Sequence, residues 1–278
     1  MSVVLSLSSQ VVRGHVGNSA AVFALERLGH TVWALPTVIL PHHPGHGGAP
    51  PRAATPPEQL LDFFQSLADR GWLHEIDAVL VGYMADPGQV DTVLRILHDV
   101  RRARPDVLVV VDPIIGDDGN LYVSEAIAAA FRDRLLPAAT IATPNSFELA
   151  WLTGGAIETT HHTVEAARSL GLREILATSA PEAQPGHIRA LLVETGSAHA
   201  AESDRLMHTV HGVGDLMTAL YLGHRLLRRP VEVSLEQAMG GVLSVLSETA
   251  NRDQNELSLS AAQERLIKPT GHVEISRL

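Results

Sequence analysis

Short apolar segments alternate with amphipathic ones along nearly all of this 278-residue chain. The clearest apolar segment, DVLVVVDP at 106–113, is typical of a strand in a parallel sheet and is stopped by Pro113. The segment before it, 88–103, carries its apolar residues at helical spacing. Strands and helices that take turns predict a mostly parallel sheet with helices on both faces. We therefore predict an α/β fold with α/β/α layers, formed by residues 1–278 as one domain.

The same pattern predicts the individual elements. We predict strands at 3–8, 31–38, 77–83, 106–113, 139–143 and 173–178, and a hairpin of 188–195 and 197–203. We predict helices at 18–29, with Asn18 as N-cap, and at 58–70, 88–103, 145–153, 163–170, 214–229 and 234–250. Residues 40–57 are rich in Pro, Gly and His and are too long for a routine connection, so we predict a flap or lid there.

Charge and composition exclude several classes of protein. The net charge is −10 and no run of Lys or Arg exceeds two residues, which argues against a nucleic-acid partner. No cationic signal region precedes Gly14, and no apolar run approaches the ~20 residues of a membrane span. Cysteine is absent, so disulfides, thiolate zinc sites and thiol catalysis are excluded. We expect a soluble, cytoplasmic protein without a membrane partner.

The chain has one lysine, Lys268, against twenty arginines. A P-loop needs a lysine within its glycine loop, a protein kinase needs one on an early strand, and an enzyme with bound pyridoxal phosphate needs one for the Schiff base. These three classes are excluded. Any nucleotide phosphates must be held by backbone amides, arginine or a metal ion.

The segment HGVGDLMTAL at 211–220 has the strongest chemical signal. Gly212, Val213 and Gly214 lead into Asp215, and an apolar-periodic helix follows at once. The start of a helix has unpaired N–H groups and favours negative charge. An anion site beside a carboxylate base is what phosphoryl transfer to an alcohol requires. The alternative is that the glycines only shape a turn and Asp215 only caps the helix.

Polar residues follow three of the predicted strands, at the edge where a parallel sheet binds ligands. Ser9 and Gln10 follow the first strand and Asp112 ends the fourth, whereas Asn145 and Glu148 follow the fifth. The last two share a helix face, so with Asp112 and Asp117 they could hold Mg²⁺ through its waters. The alternative makes Asn145 and Glu148 a capping box and Asp112 a turn former.

Two further patterns predict no site. His42 and His43 in HHPGH are adjacent and would point apart in an extended segment, with no carboxylate close in sequence, so we predict no zinc site there. Gly14, Gly17 and Asn18 lack the glycine order of a dinucleotide loop, and no acid closes the second strand. A nicotinamide oxidoreductase is therefore a weak alternative.

The chain as a whole resembles the bacterial pyridoxal kinases of the ribokinase superfamily. The resemblance rests on these segments: SSQVVRGHVGNSAA (8–21), GHTVWALPTV (29–38), DAVLVGY (77–83), DPIIGDDGNLYV (112–123), RDRLLPAATIATPNSFELAWLTG (132–154), HGVGD (211–215) and ELSLSAAQERLIKP (256–269). It implies a ribokinase-like fold, a homodimer, and transfer of the γ-phosphate of ATP to the 5′-hydroxymethyl group of pyridoxal, pyridoxine or pyridoxamine. It also implies a need for Mg²⁺, and often for a potassium ion.

The resemblance implies a role for each matching residue. Asp215 matches the family's base, and the amides of Gly212, Val213 and Gly214 match its anion hole. Around the metal ion and ATP the matching residues are Asp112, Asn145 and Glu148, with Thr143 and Thr178 at the ATP phosphates. Around the vitamin they are Ser9, at the pyridine ring, and His43 and Tyr83.

The chain departs from the family in the flap. Its segment LPHHPGHGGAPPR has Leu40, Pro41 and Pro44 where the family has an aromatic residue, a serine and a pocket threonine. Loss of a hydroxyl that can bond the substrate affects which substrate fits rather than the transfer itself. The alternatives are therefore a kinase for hydroxymethylpyrimidine of thiamin synthesis, or a protein that binds a B6 vitamer without turnover.

Overall fold

Ten strands form one continuous sheet in the computed structural model, which describes residues 1–278. In chain order they are β1 (Val3–Val11), β2 (Thr31–Leu40), β3 (Ala53–Ala54), β4 (Ile76–Val81), β5 (Leu108–Val111), β8 (Ile141–Ala142), β9 (Glu174–Ala177), β10 (His187–Glu194), β11 (Ala198–Asp204) and β12 (Glu274–Arg277). β6 (Gly116–Asp117) and β7 (Asn120–Leu121) form a separate small hairpin.

The spatial order of the sheet is β12-β11-β10-β9-β8-β5-β4-β1-β2-β3. The strands from β2 to β9 run parallel, whereas β10, β11, β12 and the short β3 are antiparallel additions at the two sides. From β1 the chain goes first to β2 on one side and then to β4 on the other. This reversal between β1 and β4 is the topological switch point, where open α/β sheets bind ligands at the carboxyl ends of their strands.

Nine helices cover the two faces. They are α1 (Asn18–Arg27), α2 (Pro57–Ala68), α3 (Pro87–Ala103), α4 (Glu125–Ala130), α5 (Ser146–Thr153), α6 (Thr160–Ser169), α7 (Val213–Leu226), α8 (Val231–Asn251) and α9 (Gln263–Ile267). Helices α2 to α6 share one buried apolar cluster with the sheet, and α1 with α7 to α9 share the other. The expected α/β fold with three layers is confirmed.

Strand residues alternate between the two clusters, which is why the parallel strands read as continuous apolar runs. In β4, Ala78 and Leu80 pack on the side of α7, whereas Val79 and Val81 pack on the side of α3. A strand that is buried on both faces gains from an apolar residue at every position. None of the helices combines the length and apolar character needed to cross a lipid bilayer.

Helix α7 is buried all round from Leu216 to His224, not along one stripe as the periodicity predicts. It lies between the sheet, α1 and α8. A buried ion pair fixes its second half to β9, since Glu174 accepts hydrogen bonds from the Arg225 guanidinium at 2.9 and 3.0 Å and from the Tyr221 hydroxyl at 2.7 Å. A charge without such partners would be costly at this depth.

The predicted boundaries are accurate within a few residues for most elements, and the differences have local causes. Pairing with β4 covers only Leu108–Val111 of the predicted strand 106–113. Asn18 is not the N-cap of α1, which is Gly17; its buried amide accepts from the Ser6 hydroxyl and donates to the Ser8 carbonyl oxygen. Helices α4 and α9 and strand β12 were not predicted, because short segments carry little periodicity. Lys268, the lysine at the end of α9, is exposed.

His224 on α7 makes stability depend on pH. It is fully buried and neither ring nitrogen has a hydrogen-bond partner. Burial, with a smaller effect of Arg229 and His30, lowers its pKa from 6.5 to about 4. Between these values the unfolded chain binds a proton that the folded chain does not, so this histidine lowers stability as the pH falls, by up to about 1.4 kcal/mol per pH unit.

We expect His224→Leu to remove this dependence. The free energy of unfolding of the variant minus that of the wild type should increase as the pH falls from 6.5 towards 4, because only the wild type then loses stability at this position. Urea unfolding of both proteins measures it. Between pH 7 and 8 the difference should be constant, and a constant difference down to pH 4.5 would show that the folded state does not exclude the proton.

Candidate active site

The turn before α7 presents free backbone amides at the carboxyl edge of the sheet. Gly212 is the N-cap with φ 87°, and its carbonyl oxygen accepts the N–H of Leu216 at 3.0 Å. Val213 and Gly214 are the first helical residues, so their N–H groups have no partner within the helix. A Cβ placed on Gly214 would meet no atom within 4 Å, so the space beside Gly214 is open.

Two glycines allow the loop at 12–17 to pass close to this turn. A Cβ on Gly212 would lie 1.9 Å from the His15 carbonyl oxygen. A Cβ on Gly17, which has φ 54°, would lie 2.3 Å from both the carbonyl and the hydroxyl oxygen of Ser9. Only glycine fits the left-handed conformation and the close approach at both places. The glycines therefore join the end of β1 to the start of α7.

Asp215 lies in the first turn of α7 and is partly buried. Burial raises the pKa of its carboxyl from 3.8 to about 6, and hydrogen bonds from the N–H groups of Gly17 and of Asp215 itself oppose the shift. A carboxylate with this pKa is ionised at neutral pH and is a stronger base than an ordinary aspartate. The site thus combines a carboxylate that can accept a proton with a turn whose free amides can bind an anion.

Asp112 directly follows β5 and is 7% exposed. Its carboxylate oxygen Oδ2 accepts the Thr218 hydroxyl of α7 at 3.1 Å, and that hydroxyl is also 2.8 Å from the hydroxyl of Thr143, which directly follows β8. Burial, and then the charge of Asp215, raise the pKa of Asp112 to about 7, while the two threonines lower it. The three residues connect the ends of two central strands to the helix that carries Asp215.

Asn145 and Glu148 form the capping box that the sequence left open as an alternative. The N–H of Glu148 donates to the Asn145 side chain at 2.8 Å, and the N–H of Asn145 donates to Glu148 Oε2 at 2.9 Å. Glu148 Oε1 also accepts the N–H of Ile115 at 3.0 Å, and the Asn145 amide donates to the Gly116 carbonyl oxygen at 2.9 Å. Asn145 Oδ1 and Glu148 Oε2 each accept one hydrogen bond and keep a free lone pair, whereas Glu148 Oε1 accepts a second N–H, that of Gly116, at 3.4 Å.

The donor set fits a hard divalent cation. Burial raises the pKa of Glu148 well above 4.5, and the charge of Asp112 raises it further. Two buried carboxylates that repel each other are oxygen ligands that Mg²⁺ accepts along with its own waters. Asp117, in contrast, is exposed in the β6–β7 hairpin and accepts the N–H of Asp118, and no hydrogen bond joins it to this pair.

Ser9 lies within β1, which continues to Val11 and does not end at residue 8 as predicted, whereas Tyr83 and Thr178 follow β4 and β9 at the same edge. Ser9 and Tyr83 flank the switch point, and the Tyr83 backbone is fixed because its N–H donates to the Ser8 hydroxyl at 3.2 Å and its carbonyl oxygen accepts the Thr37 hydroxyl at 2.6 Å. The hydroxyl groups of Ser9, Tyr83 and Thr178 form no hydrogen bond within the protein. All three are therefore free to bond a ligand.

The predicted flap contains a short turn at Pro44–His46 and the strand β3, and it packs onto the turn before α7. The ring centroids of His43 and His211 are 4.0 Å apart. His46 Nε2 is 2.6 Å from Glu256 Oε1, which is also 2.9 Å from the Arg13 guanidinium. Burial, and then the neighbouring His211, lower the pKa of His43 to about 4, so its ring is neutral at pH 7.

Sequence reasoning missed four residues of this arrangement. His211 and Glu256 reach the flap across more than 150 positions of chain, and no local pattern shows such a contact. The other two residues, Thr37 and Thr218, lie within a strand and a helix that the sequence predicts. Thr218 lies three residues after Asp215, and this spacing places both on one face of a helix, so its position could have been read from the sequence.

A polar cleft of about 430 Å³ opens further along the same edge. It is bounded by the ends of β10 and β11 and by the second half of α8; its lining includes His187, Glu202, Asp204, Leu206, Leu243 and Ser247. Leu206 lies in the segment that leads from β11 to Gly212. This segment therefore connects the cleft to the turn before α7 along the chain.

Comparison with known proteins gives consistent results. The family model described as phosphomethylpyrimidine kinase matches residues 62–259. A pyridoxal kinase of Rubrobacter xylanophilus is 38% identical over 99% of this chain and 97% of its own length. A pyridoxine/pyridoxal/pyridoxamine kinase of Bordetella avium is 39% identical over 91% of this chain and 88% of its own length.

A solved structure has the same fold over its full length. The pyridoxal kinase of Leishmania donovani, in complex with ADP and pyridoxamine, superposes with a TM-score of 0.92 at 28% sequence identity, covering 100% of both chains. The ribokinase-like form of the predicted α/β fold is therefore confirmed.

Proposed function

Because the chain belongs to the pyridoxal kinase family, we propose that it transfers the γ-phosphate of ATP to the 5′-hydroxymethyl group of pyridoxal, pyridoxine and pyridoxamine. The product from pyridoxal is pyridoxal 5′-phosphate, so the role is salvage of vitamin B6. The observation that supports it best is Asp215, whose pKa is raised to about 6 beside the free amides at the start of α7. That pairing serves phosphoryl transfer to an alcohol.

In the proposed reaction Asp215 removes the proton from the substrate hydroxyl. The hydroxyl oxygen then forms a bond to the γ-phosphorus while the bond from that phosphorus to the β-phosphate oxygen breaks, and ADP leaves. The amides of Gly212, Val213 and Gly214 face the phosphoryl oxygens and stabilise the charge that builds on them. Because these amides are fixed by the helix, they need no rearrangement during the reaction.

Asp112 and Glu148 would hold Mg²⁺, with Asn145 acting through its contact to Glu148 or through a water. When bound, Mg²⁺ neutralises phosphate charge. The chain itself supplies the two carboxylates and fixes each of them with hydrogen bonds. A requirement for a potassium ion stays a prediction of the family resemblance.

We propose that ATP lies between α7 and the ends of β5, β8 and β9. Thr143 and Thr178, with Asp112 and Glu148, line the phosphate side. The free hydroxyl of Thr178 supports this placement, as does the cleft beside Leu206, which has room for the nucleoside. The ADP complex of the Leishmania donovani enzyme supports ATP as co-substrate.

The vitamer would occupy the space between the switch point and the flap, with its hydroxymethyl group towards Asp215. Ser9 and Tyr83 have free hydroxyls for the pyridine ring, and the neutral imidazole of His43 approaches from the flap. Assembly as a homodimer and a cytoplasmic location are part of the same proposal; both rest on the family resemblance.

The test is the formation of pyridoxal 5′-phosphate from pyridoxal, followed by its absorbance, with ATP and Mg²⁺ present. Product that depends on both supports the proposal. Pyridoxal that binds tightly and gives no product would instead identify a binding protein without turnover.

We expect the enzyme to prefer pyridoxal to hydroxymethylpyrimidine by roughly 10²-fold in kcat/KM. Sites that hydrogen-bond their substrate discriminate strongly between alcohols. Because Pro44 replaces a residue with a hydroxyl in this pocket, we expect a smaller ratio of kcat/KM values than such sites can reach. Kinetics with the two alcohols at saturating ATP measure it. A higher kcat/KM for the pyrimidine would assign the chain to thiamin synthesis.

A further inference from the structure

Thr218 does not form the hydrogen bond within its own helix that most other buried serines and threonines of the helices form; Thr92 of α3, which donates to the Pro57 carbonyl oxygen of α2, is another exception. Thr163, Ser244 and Thr249 each donate to the carbonyl oxygen four residues earlier, at 3.0, 2.7 and 2.7 Å. This is the usual bond of a hydroxyl within a helix. Thr218 instead points away from its own helix and bonds to Asp112 and Thr143 on the sheet. Its hydroxyl therefore serves a contact between α7 and the strand ends.

The number of hydroxyl hydrogens determines which hydrogen bonds Thr218, Thr143 and Asp112 can form. Two hydroxyl groups carry one hydrogen each, and the oxygens of Thr218 and Thr143 are 2.8 Å apart, so one hydroxyl donates to the other. The second hydrogen is then left for the Asp112 carboxylate. The Thr218 hydroxyl is the one that lies 3.1 Å from Asp112 Oδ2, so Thr143 donates to Thr218 and Thr218 donates to Asp112. The pair is almost completely buried, with Thr218 1% and Thr143 2% exposed, so water does not compete for it.

We propose that Thr218 is the positioning residue of the metal side of the site. Its hydroxyl holds Asp112 Oδ2, and Oδ1 is left for the cation that accompanies the nucleotide. Thr218 lies three residues after Asp215 on the same rigid helix, so the proposed base and the proposed metal-side carboxylate are fixed relative to one another. This inference rests on the proposed function of the site and assigns to Thr218 no contact with substrate.

The expected size of the effect on metal affinity follows from similar contacts in other metal-binding proteins. Groups that orient a metal-binding carboxylate typically change metal affinity 10- to 100-fold when they are removed. Thr218→Val keeps the shape of the side chain and removes the hydroxyl, whereas Thr218→Ser keeps the hydroxyl. The expected change is in how well Mg²⁺ binds with the nucleotide.

The experiment is titration calorimetry of ADP with the wild type and both variants, with Mg²⁺ and with EDTA in its place. We expect Mg²⁺ to strengthen ADP binding to the wild type and to Thr218→Ser. In Thr218→Val this strengthening should be roughly tenfold smaller, with unchanged affinity in EDTA. Thr163→Val is the matched control, because it removes a buried threonine hydroxyl from α6, outside the site, and it should behave as the wild type.

Three outcomes would overturn the proposal. The first is Thr218→Val with the Mg²⁺ dependence of the wild type. The second is an equal loss of ADP affinity with Mg²⁺ and with EDTA, which indicates a general disturbance of the fold. The third is a Thr218→Ser variant as impaired as the valine. None of these binding measurements requires turnover. A protein that forms no pyridoxal 5′-phosphate would therefore refute the proposed function, and the test of Thr218 could still be interpreted.

In kinetic assays the same variants provide a second readout. Thr218→Val should raise the KM for Mg·ATP and leave the KM for pyridoxal unchanged, because Thr218 is linked to Asp112 and not to Ser9, Tyr83 or His43. A rise in the KM for pyridoxal alone would contradict the proposal.

Discussion

Asp215→Asn should lower kcat by roughly 10²–10⁴-fold, with a much smaller effect on the binding of either substrate. The amide has nearly the shape of the carboxylate but cannot take the proton from the hydroxymethyl group. Stopped assays of pyridoxal 5′-phosphate formation give kcat, and titration of pyridoxal gives its affinity. Near-normal turnover by the variant would exclude Asp215 as the base.

The wild type should show the ionisation of Asp215 in its pH profile. With a pKa of about 6, the carboxyl is protonated below that pH and cannot act as a base. We expect kcat/KM for pyridoxal to fall about tenfold per pH unit below pH 6 and to level off above it. The variant should lack this fall.

Stability provides the control for Asp215→Asn. A neutral amide removes the cost of burying a charge, while the helix loses a negative group near its N-terminus, worth about 0.3–1 kcal/mol. These changes oppose each other, so the free energy of unfolding should stay within about 1 kcal/mol of the wild type. A large loss of stability would mean that the effect on kcat reports unfolding.

Gly212→Ala should also lower kcat, by roughly 10²–10³-fold, the cost of displacing a donor from an anion hole. The added Cβ would lie 1.9 Å from the His15 carbonyl oxygen at a backbone φ of 87°, so the turn and its amides have to move. The strained conformation adds about 1–3 kcal/mol of destabilisation. Steady-state kinetics and urea unfolding measure the two effects.

Gly155→Ala is the matched control for Gly212→Ala. A Cβ there meets no atom within 4 Å, and its φ lies outside the left-handed region. It should leave kcat unchanged. If Gly212→Ala were as active as this control, the amides of the turn would have no part in the transition state.

The sequence was informative wherever a function is carried by residues close together in the chain. The HGVGD turn, the strand-end residues Asp112 and Asn145, and the flap were all located by local pattern. The parallel sheet followed from apolar runs that are buried on both faces. What could be predicted is therefore the set of candidate residues and their common edge, because the ends of parallel strands must meet.

The details of the site depend on contacts that no local pattern encodes. Asn145 and Glu148 supported both a metal site and a capping box, and the structure contains the capping box, with the buried carboxylate of Asp112 near that of Glu148. The packing of His43 on His211 joins residues 168 positions apart. Burial also decides the raised pKa of Asp215, and burial is a property of the assembled fold.

The exposed Lys268 at the end of α9 has a consequence for the chemistry of aldehydes. Pyridoxal and its phosphate form Schiff bases with primary amines. Among these 278 residues Lys268 is the one side chain with a primary amine, and no thiol is present that could add to the carbonyl. An enzyme that makes a reactive aldehyde is thus almost free of side chains that would capture it, and borohydride reduction should label no side chain other than Lys268.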